Sequence, residues 1–315
     1  MNIFIDPLLF LQFIREATGG IFNSFFVTCS LFGETGVMIV LIAILYWCMD
    51  KKLGEYILVS MGAADMVNGY AKIIACVYRP WILDSRIQPV KEAIAGATGY
   101  SFPSGHVTTA TSAFAGAVLR GNYSKYLNIV LIVCLVLVGF SRNYVGVHSV
   151  LDVIFGFLFT LTVLIIFSKL FNKVEEKPNL DIIISIIGIM LAIALIIFAT
   201  IKSYPLDYDA AGKLIVDPAI LTLDSFANAG TATGFFIAWP IERRFIKFVN
   251  DGDMETRMIR AICGFIGLVV IMQVILPLLG GHIQRFIGYV FISLFIMLIY
   301  PAIIKFFQNK SNSKA

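Results

Sequence analysis

Uncharged apolar stretches about twenty residues long recur along this chain, among them 182–201 and 286–304. A helix of that length crosses the hydrocarbon core of a bilayer, and in lipid only helices and closed barrels satisfy all of their own backbone polar groups. The 315 residues are 59% hydrophobic and 14% charged, with mean hydropathy +0.88. That leaves too little polar surface to cover a soluble globule of this size. The predicted fold class is therefore all-α, a polytopic transmembrane helical bundle. Residues 1–6 lack the basic flank of a secretory signal and no small-residue cleavage site follows a short apolar core, so the N-terminus is expected to be retained. The five cysteines are odd in number, scattered among apolar segments and free of CxxC spacing. They read as small membrane hydrophobes, neither a disulfide framework nor a metal site. A net charge of +4 gives no reason to expect a nucleic-acid partner.

Charges taken as boundaries predict about nine spans, at 35–49, 53–78, 106–119, 126–141, 149–168, 180–201, 225–241, 259–279 and 286–304. The first and third are short or polar, as expected of helices buried inside a bundle. Alternate connections are basic: Lys51 and Lys52; Arg120 and Lys125; Lys169, Lys173 and Lys177; Arg243, Arg244, Lys247, Arg257 and Arg260; then Lys305, Lys310 and Lys314. Basic loops are retained in the cytoplasm, which assigns these connections inside and the intervening ones outside. Leu8, Leu9, Leu11, Phe13 and Ile14 beside Arg15 and Glu16 then suit an interfacial helix on the outer side. The expected organisation is an extracytoplasmic interfacial segment at 1–33, a catalytic core at 34–172, a cytoplasmic linker at 173–178, additional transmembrane helices at 179–307 and a polar cytoplasmic tail at 308–315.

The reactive side chains fall in three clusters at the outward ends of the second to fifth spans. Lys72 and Arg79 are seven residues apart, two helical turns, so both are expected on one helix face. In Pro103-Ser104-Gly105-His106, Ser104 is a good helix cap, Gly105 permits close backbone approach, and His106 opens a helix whose free amides suit an anion. Ser141-Arg142 leads to His148 and, four residues on, Asp152. On a helix that carboxylate would accept the imidazole's Nδ1 proton and leave Nε2 free as a nucleophile. A single cation at a span end usually snorkels to the headgroups, and a single histidine is more often a satisfied core residue. Two of the three histidines meeting three cations and a carboxylate on one membrane face is a different matter. It points to a phosphate cradle with its own nucleophile.

These residues resemble the three-part pattern of the type 2 phosphatidic acid phosphatase superfamily, which includes lipid phosphate phosphatases and, more distantly, vanadium haloperoxidases. The matching elements are Lys72 with Arg79-Pro80, then Pro103-Ser104-Gly105-His106, then Ser141-Arg142, His148 and Asp152, all at the family's spacing and within residues 35–170. The resemblance implies that His148 attacks phosphorus to form a phosphohistidine and that Asp152 orients it. His106 would protonate the leaving oxygen and later activate water. Lys72, Arg79, Arg142 and the amides around Ser104 and Gly105 would hold the phosphoryl oxygens, with no metal or other cofactor. The three further spans are similar in layout to the sphingosine-1-phosphate phosphatase branch.

The expectation is a metal-independent membrane phosphatase acting on a lipid phosphate at the outer or lumenal face of a multi-pass cell membrane protein, with membrane lipids around it. The substrate class covers phosphatidic acid, sphingoid-base phosphates and polyprenyl diphosphates. A lipid-linked phosphotransferase using the same site is the alternative. A transporter is a minor one, because transport sites belong near the midplane whereas this polar cluster gathers at span ends. Asp65 inside the second span reads as a buried partner, and His282 as a loop histidine. The outer connection 202–224, with Tyr204, Asp207, Tyr208, Asp209 and Asp217, is either a cap or a wet connector.

Overall fold

A computed structural model describes residues 5–177, 179–209, 211–278 and 280–312. Pro178, in the expected linker, and 313–315, in the expected tail, lie outside the described residues. The described chain is helical, and its one strand-like feature is an isolated antiparallel bridge between Tyr208 and Leu214. In chain order the α-helices are α1 (Asp6–Ala17), α2 (Asn23–Leu31), α3 (Thr35–Ile44), α4 (Lys51–Ala75), α5 (Pro80–Leu83), α6 (Lys91–Ile94), α7 (Gly105–Ala110), α8 (Gly116–Arg120), α9 (Lys125–Tyr144), α10 (Val150–Glu176), α11 (Leu180–Ile201), α12 (Pro218–Ile241), α13 (Met254–Val270), α14 (His282–Leu294) and α15 (Tyr300–Asn312). Single π-helical turns join α7 to α8 at Thr111–Ala115 and α14 to α15 at Phe295–Ile299.

Helices stand at all nine positions expected to cross the membrane, but five are long and apolar enough to do so by composition: Lys125–Tyr144, Val150–Glu176, Leu180–Ile201, Met254–Leu278 and His282–Lys310. Asn23–Leu31 and Thr35–Met49, bent by 52° at their junction, make a sixth if taken as one broken span. The other three expected spans fall short for physical reasons. The stretch from Gly105 to Arg120 is brief, and α4 carries Glu55, Asp65, Asn68 and Lys72. Small and polar residues such as Asp224, Asn228 and Thr231 interrupt α12. The apolar helices leave large side chains exposed along their length, for example Ile183, Ile187, Met190 and Ile197 on α11 and Ile259, Ile262 and Ile266 on α13. Such faces are stable against lipid tails and not against water, so this is an integral membrane protein.

Cα proximity divides the chain into two compact units. The first comprises 1–38, 67–164 and 198–222. Here α1, α2 and α7 pack against α9. Arg15 of α1 is buried, donating to the carbonyls of Tyr144 (3.1 Å) and Gln88. Ser124 starts α9 by accepting the Leu127 amide at 3.3 Å, an N-cap bond. Helix α4 ends where Cys76 adopts φ 47°, a left-handed conformation that stops helix propagation.

The second unit comprises 39–66, 165–197 and 223–315. Glycines let its helices approach closely: a Cβ on Gly234 would lie 2.5 Å from the Ser293 side chain, and one on Gly264 2.3 Å from the Trp47 ring. Charges gather at one end as partnered sets. Asp181 accepts two bonds from Arg244 (2.6 and 2.7 Å), Glu55 accepts from Trp239 (2.5 Å) and Arg243 (3.3 Å), and Lys51 donates to Glu242 at 2.7 Å. Removing one member of such a buried pair strands the other, which is the costly event in low dielectric.

Candidate active site

The site lies in the first unit and is built on the start of α10. Ser149 and Asp152 form a reciprocal capping box. The Asp152 amide donates to Ser149 Oγ at 3.2 Å while the Ser149 amide donates to Asp152 Oδ2 at 2.7 Å. Ser101 Oγ donates to the same Oδ2 at 2.5 Å. So fixed, Oδ2 stands 3.5 Å from His148 Nδ1. The pair does not lie on a helix as the spacing predicted, because His148 precedes α10, in the turn after α9. Gly146 makes that turn at φ 77°, and the Val147 and His148 amides donate back to the Arg142 carbonyl at 3.2 and 3.3 Å. Asn143 Nδ2 donates to the His148 carbonyl at 3.0 Å.

On the other edge of the ring, Arg79 approaches His148 Nε2 at 2.9 Å through one terminal nitrogen. A guanidinium only donates, so Nε2 is the acceptor and Nδ1 carries the proton. That is the tautomer a nucleophilic Nε2 requires. Burial first, and then the Arg79 charge, hold the His148 imidazole well below its ordinary range against the pull of Asp152, which keeps the ring neutral.

Arg79 does not share a helix face with Lys72. It lies beyond the end of α4, where Cys76 breaks the helix, and its extended backbone (φ −65°, ψ 150°) precedes Pro80. Proline disfavours the helical region in the residue before it. The guanidinium nevertheless reaches the same place, donating to the carbonyls of Thr98 (2.6 Å), Gly99 (3.1 Å) and Val147 (3.1 Å). Lys72 Nζ donates to the carbonyls of Tyr100 (3.0 Å) and Pro103 (3.1 Å). Arg142 is different. It is 2% exposed, yet its Nε and one terminal nitrogen have no hydrogen-bond partner among the described residues. Its charge is within electrostatic range of His148, His106 and Glu34.

Ser104 starts α7 by position, its carbonyl accepting the Thr108 amide at 3.1 Å, but its hydroxyl makes no capping bond and is buried without a partner among the described residues. Its amide donates to the Asp152 carbonyl at 3.0 Å, tying α7 to α10. A Cβ built on Gly105 meets nothing within 4 Å, so open space lies in front of the first turn, where helix amides have no intrahelical acceptor. His106 Nε2 stands 2.9 Å from Glu34 Oε1.

Two participants were missed from sequence. Ser101 lies two residues before Pro103 and outside the three-part pattern. Glu34 opens the expected core at 34–172, just ahead of the first expected span, and was given no role; only its isolation among apolar residues could have marked it. Asp207, Val216 and Leu221 of the connection 202–224 pack onto the site's loops. Tyr78 Oη, its phenol pushed up to about 12 by burial and by the neighbouring carboxylate, donates to Asp207 Oδ2 at 2.5 Å, while Val216 and Leu221 pack on Tyr100. Asp65 and His282 belong to the second unit, where the Asp65 carbonyl accepts from Asn228 and His282 stacks edge-on against Phe226. Among the described residues no group of three or more His, Cys, Asp and Glu side chains could hold a metal ion.

A membrane-embedded helical protein with an anion-ready cluster of this make-up has relatives. Residues 54–176 match the PAP2 superfamily, and 226–312 match the PAP2 superfamily phosphatase transmembrane extension. The chain thus carries a PAP2 superfamily domain followed by the transmembrane extension of PAP2 superfamily phosphatases. It is 40% identical to sphingosine-1-phosphate phosphatase 1 of Rattus norvegicus over 82 residues, 24% of this chain and 19% of that one. It is 31% identical to the undecaprenyl-diphosphatase of Sulfolobus acidocaldarius over 137 residues, 43% and 64% of the two chains. With phosphatidylglycerophosphatase B of Bacillus subtilis it shares 29% over 119 residues, 35% and 58%. The chain thus spans between about a fifth and just under two thirds of the length of these relatives. No solved structure matches it.

Proposed function

We propose that this protein is an integral-membrane phosphatase that hydrolyses a lipid phosphate ester or diphosphate through a phosphohistidine on His148. The observation that carries the proposal is the buried Arg142 guanidinium, two of whose nitrogens have no partner among the described residues, beside a neutral histidine whose Nε2 is the accepting nitrogen. An unsatisfied buried cation is costly unless an anion completes it. A phosphoryl group supplies the oxygens. The names of the relatives, all phosphatases of lipid phosphates or diphosphates, support the same substrate class.

In the first half-reaction His148 Nε2 attacks phosphorus as the phosphorus–oxygen bond to the lipid breaks, and His106 gives its proton to the departing oxygen. Arg79 releases Nε2 and turns to a phosphoryl oxygen. Lys72, Arg142, the Ser104 hydroxyl and the Gly105 amide take the others. In the second, His106 removes a proton from water, whose oxygen attacks phosphorus, and the phosphorus–nitrogen bond breaks to give inorganic phosphate. Asp152 stabilises positive charge on the ring through Nδ1. Positioning and charge neutralisation supply the catalysis, as in phosphoryl transfer generally, and three cationic side chains meet that need without a metal.

The catalytic core corresponds to 34–172, preceded by an interfacial segment at 1–33 and followed by a linker at 173–178, further helices at 179–307 and a tail at 308–315. On a reading of nine crossings the site lies on the outer or lumenal side of the cell membrane, because the five basic connections named above then lie inside. The test is phosphate release by purified protein in excess EDTA from phosphatidic acid, a sphingoid-base phosphate, a polyprenyl diphosphate and a soluble sugar phosphate. At least one lipid is expected to be turned over and the sugar phosphate to be poor. Release from no lipid, or activity restored only by Mg2+, would overturn the proposal.

A further inference from the structure

Glu34 lies outside the residues that match the PAP2 superfamily and outside the three-part pattern. It sits at the break between α2 and α3, where Gly33, Glu34 and Thr35, the first residue of α3, are fitted to α7. A Cβ on Gly33 would stand 2.7 Å from His106 Cβ and 3.0 Å from the His106 carbonyl, so only a bare backbone approaches that closely. Glu34 Oε1 is 2.9 Å from His106 Nε2. The Thr35 and Thr109 hydroxyls bond at 3.1 Å. One turn earlier on α2, Ser30 Oγ and Ser141 Oγ are 2.9 Å apart, fixing the same hairpin beside Arg142. The Gly96 backbone flanks the carboxylate, where a Cβ would come within 3.4 Å of Oε1.

Resting on the phosphatase reading above, we infer that Glu34 is the positioning residue for the general acid, forming with His106 a second carboxylate–imidazole pair beside that of Asp152 and His148. The charges facing His106 are Glu34 from the α2–α3 break, Arg142 from α9 and Arg79 from the segment after α4. Burial is the largest influence against a proton on His106, and the two arginines add to it. Glu34 alone favours the proton. With Nε2 held by the carboxylate, Nδ1 is the nitrogen left for the departing oxygen. The proton passes from Nδ1 to that oxygen as the phosphorus–oxygen bond breaks, and the lipid leaves as a neutral alcohol. Glu34 takes no proton; it offsets part of that opposition and aims the ring. Its side chain is 45% exposed, so the charge stays hydrated and the coupling is moderated by solvent.

The test compares the wild type with Glu34→Gln and Glu34→Asp in pH profiles of kcat/KM, using a short-chain phosphatidic acid, whose alkoxide needs a proton, and p-nitrophenyl phosphate, whose leaving group does not. Glu34→Gln is expected to lose roughly 10- to 100-fold with the lipid and under about 3-fold with the aryl ester, because general acid assistance matters for the poor leaving group alone. Its alkaline limb with the lipid is expected to fall by about one pH unit, as expected for removal of a nearby opposite charge. Glu34→Asp, which keeps the charge, is expected to recover the limb. Equal losses with both substrates and an unmoved limb in Glu34→Gln would overturn the inference and leave Glu34 a packing residue. A wild type that releases phosphate from neither substrate would instead overturn the phosphatase reading on which it rests.

Discussion

Arg142 carries two opposed consequences, one for stability and one for activity. Its guanidinium is buried with two nitrogens that have no partner among the described residues, an arrangement that costs folding free energy unless an anion completes it. Arg142→Met, which keeps much of the volume and removes the charge, is therefore expected to leave the unfolding temperature in detergent unchanged or higher. The same variant is expected to lose about 10²- to 10³-fold in kcat/KM, the usual result of deleting a preorganised donor to a developing charge. A fall in unfolding temperature with activity retained would mean that Arg142 serves packing instead of phosphate. Arg79 and Lys72 differ in kind, since backbone carbonyls already accept from both.

The turn between α9 and α10 decides whether His148 faces Asp152 at all. Gly146 takes φ 77° there, and a Cβ on it would come within 3.3 Å of the Pro89 backbone. Gly146→Ala is expected to cost about 1 to 2 kcal/mol from left-handed strain alone, lowering the unfolding temperature and displacing the nucleophile, so that turnover falls with it. Unchanged thermal unfolding would show that the turn relaxes freely. Elements of this kind mark where sequence reading succeeded and failed. Apolar runs located α9, α11 and the start of α10 within a few residues, because lipid-facing helices advertise themselves by composition, whereas α10 continues past the expected span to Glu176. The break at Cys76 was invisible, since a left-handed cysteine in an apolar stretch has no compositional signal, and so Arg79 was assigned to a helix it does not belong to. The residues of the three-part pattern were legible because cations and histidines are rare in such a chain. Ser101 and Glu34 were not, for their roles come from contacts across 51 and 72 residues of sequence.

At the scale of the whole molecule, the account requires one side of the membrane for the site and the other for the basic connections. Replacing the native cysteines and introducing Ser85→Cys, Asn122→Cys or Lys213→Cys, all at exposed positions, allows each to be probed with an impermeant maleimide in sealed vesicles. Positions 85 and 213 are expected to label from outside and 122 only after permeabilisation; the reverse pattern would move the substrate to the cytoplasmic leaflet while leaving the chemistry intact. The chemistry itself is tested most directly by trapping the covalent intermediate. Protein in EDTA is mixed with a lipid phosphate labelled at phosphorus, quenched in alkali to preserve phosphohistidine, digested and mapped. The predicted result is label on His148, absent from His148→Ala, which has also lost turnover, and accumulating in His106→Ala. Turnover retained by His148→Ala, or label mapped to any other residue, would contradict the account.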